Sequence, residues 1–322
     1  MEKILGYRGP LESYMEAYLE KKQGLIYDPL RYILSLGGKR LRPCLVLATA
    51  EAMGGDSKVA MSAAAAIEFF HNFTLLHDDI MDDAPTRRGQ QTVHLKWNRD
   101  QAILSGDIMY TLSLELMHRD AHEQSHAMMS SFIRTAEEVC VGQQMDMDFE
   151  HRDSVTAEEY LRMIELKTSV LIGAAMEIGA LSAETSKDRV NSAYALGLNM
   201  GLAFQIQDDI LDAFGSSEQV GKQEGGDILQ NKKTLLYIHA SEHSREEQRS
   251  RLKELYAVKG GGMEKVEEVR TIMKDSGALE ALEQTQRQYL DLARQSLQTL
   301  GFEKEWKQSF EDVLDYQIKR VH

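Results

Sequence analysis

The stretch VAMSAAAAIEFFHNFTLLHDDIMDD, residues 59–83, is apolar on nearly every side and closes on Asp78, Asp79, Asp82 and Asp83. An unbroken apolar run of this kind predicts one long helix buried all round. Residues 190–212 repeat the pattern and end in FQIQDDILD, with Asp208, Asp209 and Asp212. Residues 101–119 place Ile103, Leu104, Ile108, Leu112 and Leu116 at helical spacing, and 158–181 do the same with Leu161, Ile164, Leu171, Ile172 and Met176. From 242 onward the chain is more polar, and Leu252, Leu255, Val266, Val269, Ile272, Leu279, Leu282, Leu290 and Leu297 are predicted to face a core. Breaks fall at Gly54-Gly55, near 182–186, at 215–226 and at Gly260-Gly261-Gly262. Of four prolines none follows Pro85, and no regular apolar alternation is flanked by Asn-Gly or Asp-Gly turns. The fold class predicted is all-α.

The chain has 322 residues, 43% hydrophobic and 27% charged, a globular composition with ample length for a large core. Length alone would allow about two domains. No internal repeat and no Pro/Ser-rich linker divides the sequence, so a single domain over 1–322 is expected. With 37 basic and 51 acidic residues the net charge is −14, which argues against general nucleic-acid binding, where Lys and Arg must neutralise phosphate. Two cysteines, Cys44 and Cys140, exclude a disulfide scaffold and a four-cysteine zinc site. The first twenty residues lack the plan of a signal peptide, and no run of eighteen apolar residues could span a membrane. A cytoplasmic location is the expectation.

Both aspartate clusters have the form D-D-x-x-D. On a helix, Asp78 shares a face with Asp82, and Asp208 with Asp212. Two carboxylates about 4 Å apart repel by roughly 4 kcal/mol at an effective dielectric near 20. A cation normally offsets such repulsion, and hard carboxylate ligands without cysteine favour Mg²⁺ shared with a substrate phosphate. Basic groups accompany the clusters. GGKRLRP at 37–43 brings Lys39, Arg40 and Arg42 together, PTRRG at 85–89 carries Arg87 and Arg88, and VGKQEGGDILQNKKT at 220–234 carries Lys222, Lys232 and Lys233. Mg²⁺ on carboxylates beside Arg and Lys makes a receptor for diphosphate. Neither a P-loop nor a strand-linked G-x-G-x-x-G occurs, so neither an ATPase nor a dinucleotide enzyme is indicated.

GGKRLRP, HNFTLLHDDIMDDAPTRRG, LKT at 166–168, GLAFQIQDDILD and the GK…GGD…KKT segment resemble the trans-isoprenyl diphosphate synthases, the polyprenyl synthetase family, from about residue 30 to 235. The resemblance implies an all-α, single-domain antiparallel bundle around a central cavity, and a homodimer. It implies three Mg²⁺ ions on the diphosphate of an allylic substrate, with Asp78, Asp82 and Asp208 as direct ligands and Asp79, Asp209 and Asp212 direct or through water. Arg87, Lys167, Lys222 and Lys232 match the family's allylic-diphosphate contacts. Lys39, Arg42, His71 and Arg88 match its isopentenyl diphosphate site, and His71 stands two helical turns before Asp78 on the same face. Thr168 and Gln205 match groups whose oxygens lie near the developing cation. Gln143 and Asp146 match a G-Q-x-x-D segment, and Asp83 stands where many relatives carry Asn. The activity implied is Mg²⁺-dependent condensation of isopentenyl diphosphate with dimethylallyl, geranyl or farnesyl diphosphate.

In that family the residues four and five before the first aspartate help set product length; here they are Thr74 and Phe73. One aromatic at the farther position resembles makers of the twenty-carbon product, with some fifteen-carbon product, whereas small residues at both would imply medium or long chains. Phe70, eight back, is about 12 Å down the helix. On an ideal helix Phe73 points well away from Asp78, so it can close a pocket only if that pocket wraps towards a neighbouring helix. The tail, with Lys319 and Arg320, is either a frayed end or a basic flap. A rival reading takes Glu68–His71 and Glu115–His118 as the E-x-x-H pairs of a di-iron carboxylate bundle, but leaves both aspartate clusters without a role. A non-catalytic subunit should have lost aspartates from one cluster. A terpene cyclase would carry an N-D-x-x-S-x-x-x-E motif in place of QDDILD.

Overall fold

A computed structural model describes residues 1–119, 123–215 and 224–319, with side chains to 316. Lys222 and Arg320 lie outside the described residues, and the Lys319 side chain with them. The expected all-α class is observed. The helices are α1 Glu2–Leu5, α2 Arg8–Glu20, α3 Asp28–Ser35, α4 Leu41–Ala52, α5 Met61–Met81, α6 Val93–Lys96, α7 Arg99–His118, α8 Ser125–His151 and α9 Ala157–Ile164. There follow α10 Val170–Ser182, α11 Lys187–Phe214, α12 Gly226–Leu229, α13 Leu235–His243, α14 Glu246–Tyr256, α15 Gly262–Asp275, α16 Ala278–Thr299 and α17 Lys304–Lys319. Among the described residues the only strands are Thr86–Arg87 and Gln90–Gln91, paired as an antiparallel hairpin. No described helix is long and apolar enough to cross a membrane.

The chain forms two compact units. The first comprises Met1–Arg134, Ala174–Tyr194 and Leu297–Phe310; the second comprises Thr135–Gly173, Ala195–Ser296 and the chain from Glu311. In the first unit α5, Met61–Met81, is the long buried helix expected over 59–83. Ala63 to Ile67, Phe69, Phe70 and Leu76 are all buried, and α5 packs along α7 and against α4. The approach of α7 is set by Gly106, where a Cβ would stand 2.2 Å from Nε2 of His77. Asn98 starts α7 by accepting the Gln101 N–H at 2.8 Å, an N-cap that satisfies an otherwise orphaned donor.

The second unit buries Leu252, Val266, Val269, Ile272 and Leu282 with Ile206 and Ile210, and Leu255 and Leu279 pack partly buried against them. The helical stretch expected over 158–181 is interrupted by a π-helical turn at Glu165–Ser169 between α9 and α10. The sequence pattern does not show it, because one added residue barely changes the apolar spacing. Its setting does. A Cβ on Gly142 would lie 2.3 Å from the backbone nitrogen of Lys167, and one on Gly201 would lie 2.6 Å from Cα of Ser169. Two glycines therefore let α8 and α11 close on the widened turn. Such turns often accompany functional sites, and this one carries Lys167 and Thr168.

Arg40 departs from the reading that grouped it with Lys39 and Arg42. Its side chain is 2% exposed and pairs with the 3% exposed Glu68 of α5 at 2.5 Å. It also donates to the Leu34 carbonyl and reaches Glu12 at 3.4 Å. Glu68 further accepts from Asn72 at 2.8 Å. The pair fixes the 37–42 loop onto α5, and it occupies a carboxylate that the di-iron reading requires. The other, Glu115, pairs with Lys22 at 2.9 Å. Removing one partner of a buried pair strands the other charge, so Glu68→Ala should cost about 3–5 kcal/mol in denaturant unfolding. The double variant Arg40→Met/Glu68→Leu should recover most of that loss. A single-variant loss below about 1 kcal/mol would show that the pair does not hold the loop.

Candidate functional site

In the first unit the last turns of α5 present His71, Thr74 and Asp78 at helical repeat, with Asp82 as the C-cap residue, its N–H donating to the Asp78 carbonyl at 2.9 Å. Asp78 is half-buried and Asp82 exposed. Asp83 ends the helix with φ 49°, a left-handed conformation that Asp and Asn tolerate better than most residues. Arg88 and Gly89, both with positive φ, form the tight turn of the hairpin that follows.

That hairpin returns Arg87 to Asp79. Its Nε donates to both carboxylate oxygens at 2.9 and 2.8 Å, and Nη2 lies 2.7 Å from Oδ1. Burial still raises the Asp79 carboxyl above its ordinary value, although Arg87 opposes the shift. Asp79, expected as a metal ligand direct or through water, is therefore held by Arg87.

The basic side of this unit is built by the 37–42 loop. Gly37 and Gly38 have φ of 76° and 126°, and Arg40 one of 52°. A Cβ on Gly38 would meet the Arg88 guanidinium at 2.9 Å, and Arg88 donates to the Gly37 carbonyl. Arg42 Nη1 donates to His71 Nε2 at 3.1 Å. Desolvation, then Arg42 and three further guanidinium groups, hold the His71 pKa well below its ordinary value. His71 is thus a neutral imidazole that orients Arg42. Lys39 is exposed at the loop.

The expected chain-length residues divide between two faces of α5. The Thr74 hydroxyl donates to the His71 carbonyl at 2.8 Å. Phe73 stacks on Tyr110 of α7 with ring centroids 5.3 Å apart and touches His77 and Phe70. Phe70, 1% exposed, also contacts Tyr110 and Phe132. Phe73 therefore does turn towards a neighbouring helix.

In the second unit α11 carries Gln205, Asp208, Asp209 and Asp212. Asp209 is 3% exposed; Tyr160 donates to its Oδ2 at 2.8 Å and Gln205 Nε2 to its Oδ1 at 3.1 Å. Thr168 in turn donates to Gln205 Oε1 at 3.1 Å. Burial first, then the charge of Asp227, pushes the Asp209 pKa well above the carboxylate range. Asp212 Oδ1 accepts the Asp227 N–H at 2.8 Å at the start of α12. Lys167 pairs with Asp146 at 2.5 Å, and Lys232 lies 3.9 Å from Asp227.

Asp209, Gln205, Thr168, Lys167, Asp146, Asp227 and Lys232 border a pocket enclosing about 620 Å³, open solvent at its mouth included, whose lining does not include Asp208 or Asp212. Asp146, Lys167, Thr168, Gln205, Asp209, Asp227, Lys232 and Lys233 give its polar lining, with Phe149, Met163 and Ile164 among the apolar walls. Tyr160 and Asn231 also line it, and the motif reading did not single them out.

Among the described residues no three His, Cys, Asp or Glu side chains converge on one point. The D-D-x-x-D turns offer carboxylate oxygens only, hard donors with no cysteine in either turn. That fits Mg²⁺, which keeps several waters and binds through one or two carboxylates plus substrate phosphate.

The family model for polyprenyl synthetase matches residues 23–275. A geranylgeranyl pyrophosphate synthase of Geoglobus acetivorans is 38% identical over 316 residues, 97% of this chain and 96% of its own. A geranylfarnesyl diphosphate synthase of Natronomonas pharaonis is 35% identical over 97% of this chain and 94% of its own. A crystal structure of a geranylgeranyl pyrophosphate synthase superposes with a TM-score of 0.93 at 41% identity, covering 100% of this chain and 99% of that one. With the motifs, the helical fold and these likenesses in agreement, the chain belongs to the polyprenyl synthetase family.

Proposed function

We propose that this protein is a trans-prenyltransferase that condenses isopentenyl diphosphate with allylic diphosphates and makes a twenty-carbon all-trans diphosphate, with some fifteen-carbon product. One observation carries the reading: each D-D-x-x-D turn ends a buried helix, has its second aspartate held by protein donors, and is accompanied by Lys or Arg within its own unit. Asp78, Asp82 and Asp208 would hold Mg²⁺, with Asp79, Asp209 and Asp212 direct or through water. Bound Mg²⁺ would neutralise charge on the departing diphosphate.

The chain's own groups do the rest. Lys167, Lys232 and Arg87, with Lys222, bind and orient the allylic diphosphate. Lys39, Arg42 and Arg88, with His71 fixing Arg42, bind isopentenyl diphosphate. The allylic C1–O bond breaks and the diphosphate keeps the electron pair. Gln205 donates to Asp209 and accepts from Thr168, which turns the lone pairs of the Thr168 oxygen outward to the developing cation. The isopentenyl double bond then attacks C1, and a proton leaves to the released diphosphate. The apolar walls Phe149, Met163 and Ile164 limit water.

The product floor in this reading is Phe73, with Phe70 below it and Tyr110 behind. Names of relatives support short chains: geranylgeranyl and geranylfarnesyl diphosphate synthases. The proposal includes a cytoplasmic location and a second copy of the chain as partner. In the first unit Ile103, Leu104 and Ile133 are exposed and suited to such a contact.

Asp78→Ala and Asp208→Ala should each lower turnover about a thousandfold or more while leaving the circular dichroism spectrum unchanged. Near-normal Mg²⁺-dependent turnover in folded Asp208→Ala would sink the two-cluster reading. Product analysis tests the floor: Phe73→Ala should lengthen the main product and Thr74→Phe shorten it. If Phe73→Ala leaves the distribution unchanged, Phe73 is not the floor and Phe70 takes its place.

A further inference from the structure

The triple glycine at 260–262 has no part in the chemistry above, yet it has a structural object. Gly260, Gly261 and Gly262 have φ of 83°, 94° and 67°, and a Cβ on Gly261 would lie 3.0 Å from Cδ of Lys265. Gly261 alone of the three packs on the stem of Lys265, in the first turn of α15. That ammonium is badly placed by ordinary criteria. It is 5% exposed, its pKa is lowered by burial, and it sits at the positive end of a helix dipole. An aliphatic residue would fill the same space without the charge.

The charge is used for hydrogen bonds. Nζ donates to the Val258 carbonyl at 2.8 Å and to Oδ1 of Asn231, and it lies 5.5 Å from the Tyr256 ring centroid. Asn231 has φ 61°, a left-handed backbone that needs support in a residue other than glycine. It immediately precedes Lys232 and Lys233, and all three line the pocket. A second tie joins the same two loops, from the Gly260 N–H to the Leu229 carbonyl at 2.8 Å. Lys232 is fixed from the other side by its N–H to the Asp227 carbonyl at 2.9 Å.

We propose that Lys265 is a positioning residue: its ammonium clamps Asn231 in the left-handed conformation and so sets the direction in which Lys232 and Lys233 enter the pocket. Lys265 touches no substrate and acts through Asn231. The proposal rests on the reading of Lys232 as an allylic-diphosphate contact.

Steady-state kinetics of the full chain with both substrates test it. Lys265→Met keeps the buried stem and removes the donor. It should raise KM for the allylic diphosphate about tenfold while KM for isopentenyl diphosphate stays within about twofold. Asn231→Ala should do the same, and the double variant should be no worse than the worse single, since both break one link. An unchanged allylic KM in Lys265→Met, an equal rise for both substrates, or additive losses would overturn the proposal. If Lys265→Met fails to fold, Asn231→Ala decides alone, and an unchanged allylic KM refutes the clamp. Lys232→Ala separates the two levels. If it leaves the allylic KM unchanged, the diphosphate reading itself fails; if it raises that KM and Lys265→Met does not, only the clamp falls.

Discussion

Adjacent carboxylates at the end of a buried helix repel each other and resist losing water, and in both aspartate turns the second of the pair is met by protein donors. Asp79 receives Arg87 from a hairpin whose turn requires positive φ at Arg88 and Gly89. Asp209 receives Tyr160 and Gln205. The donors differ in charge: a guanidinium in one unit, two neutral groups in the other. Burial accordingly raises the Asp79 carboxyl despite its cation and drives Asp209 well above the carboxylate range. Each turn thus has its second aspartate fixed by protein donors.

Several groups that would touch substrate are themselves held by the chain. Arg42 is oriented by a neutral His71, the loop behind it is pinned by Arg40 on Glu68, and Arg88 lies against Gly38, whose φ of 126° disfavours any side chain. In the second unit Gly142 and Gly201 admit the π-helical turn that carries Lys167 and Thr168, and Asp146 holds the Lys167 ammonium. Preorganisation of this kind matters for a reaction with little covalent work for side chains, where orientation and charge stabilisation are the protein's contribution.

The helices were legible because proline is missing after Pro85 and the apolar spacing of α5, α7 and α11 is regular. The acidic turns were legible because D-D-x-x-D is costly without a function. What the sequence did not display depends on partners distant in the chain. GGKRLRP shows three cations alike, and only the folded position of Glu68 turns Arg40 inward while Arg42 meets His71. Helix periodicity cannot reveal a single widened turn at 165–169. Nor could it show that Phe73 would meet Tyr110, because that contact is set by how closely α7 approaches α5 at Gly106.

The central claim is that these acidic turns become diphosphate receptors only through a divalent cation. Isothermal titration of inorganic diphosphate into the protein, with Mg²⁺ and with chelator, tests it most directly. Binding with Mg²⁺ that vanishes with chelator, and is lost with Mg²⁺ in Asp208→Ala, is the predicted result. Diphosphate binding of equal affinity with and without Mg²⁺ would contradict the account, because Lys and Arg alone would then be the receptor.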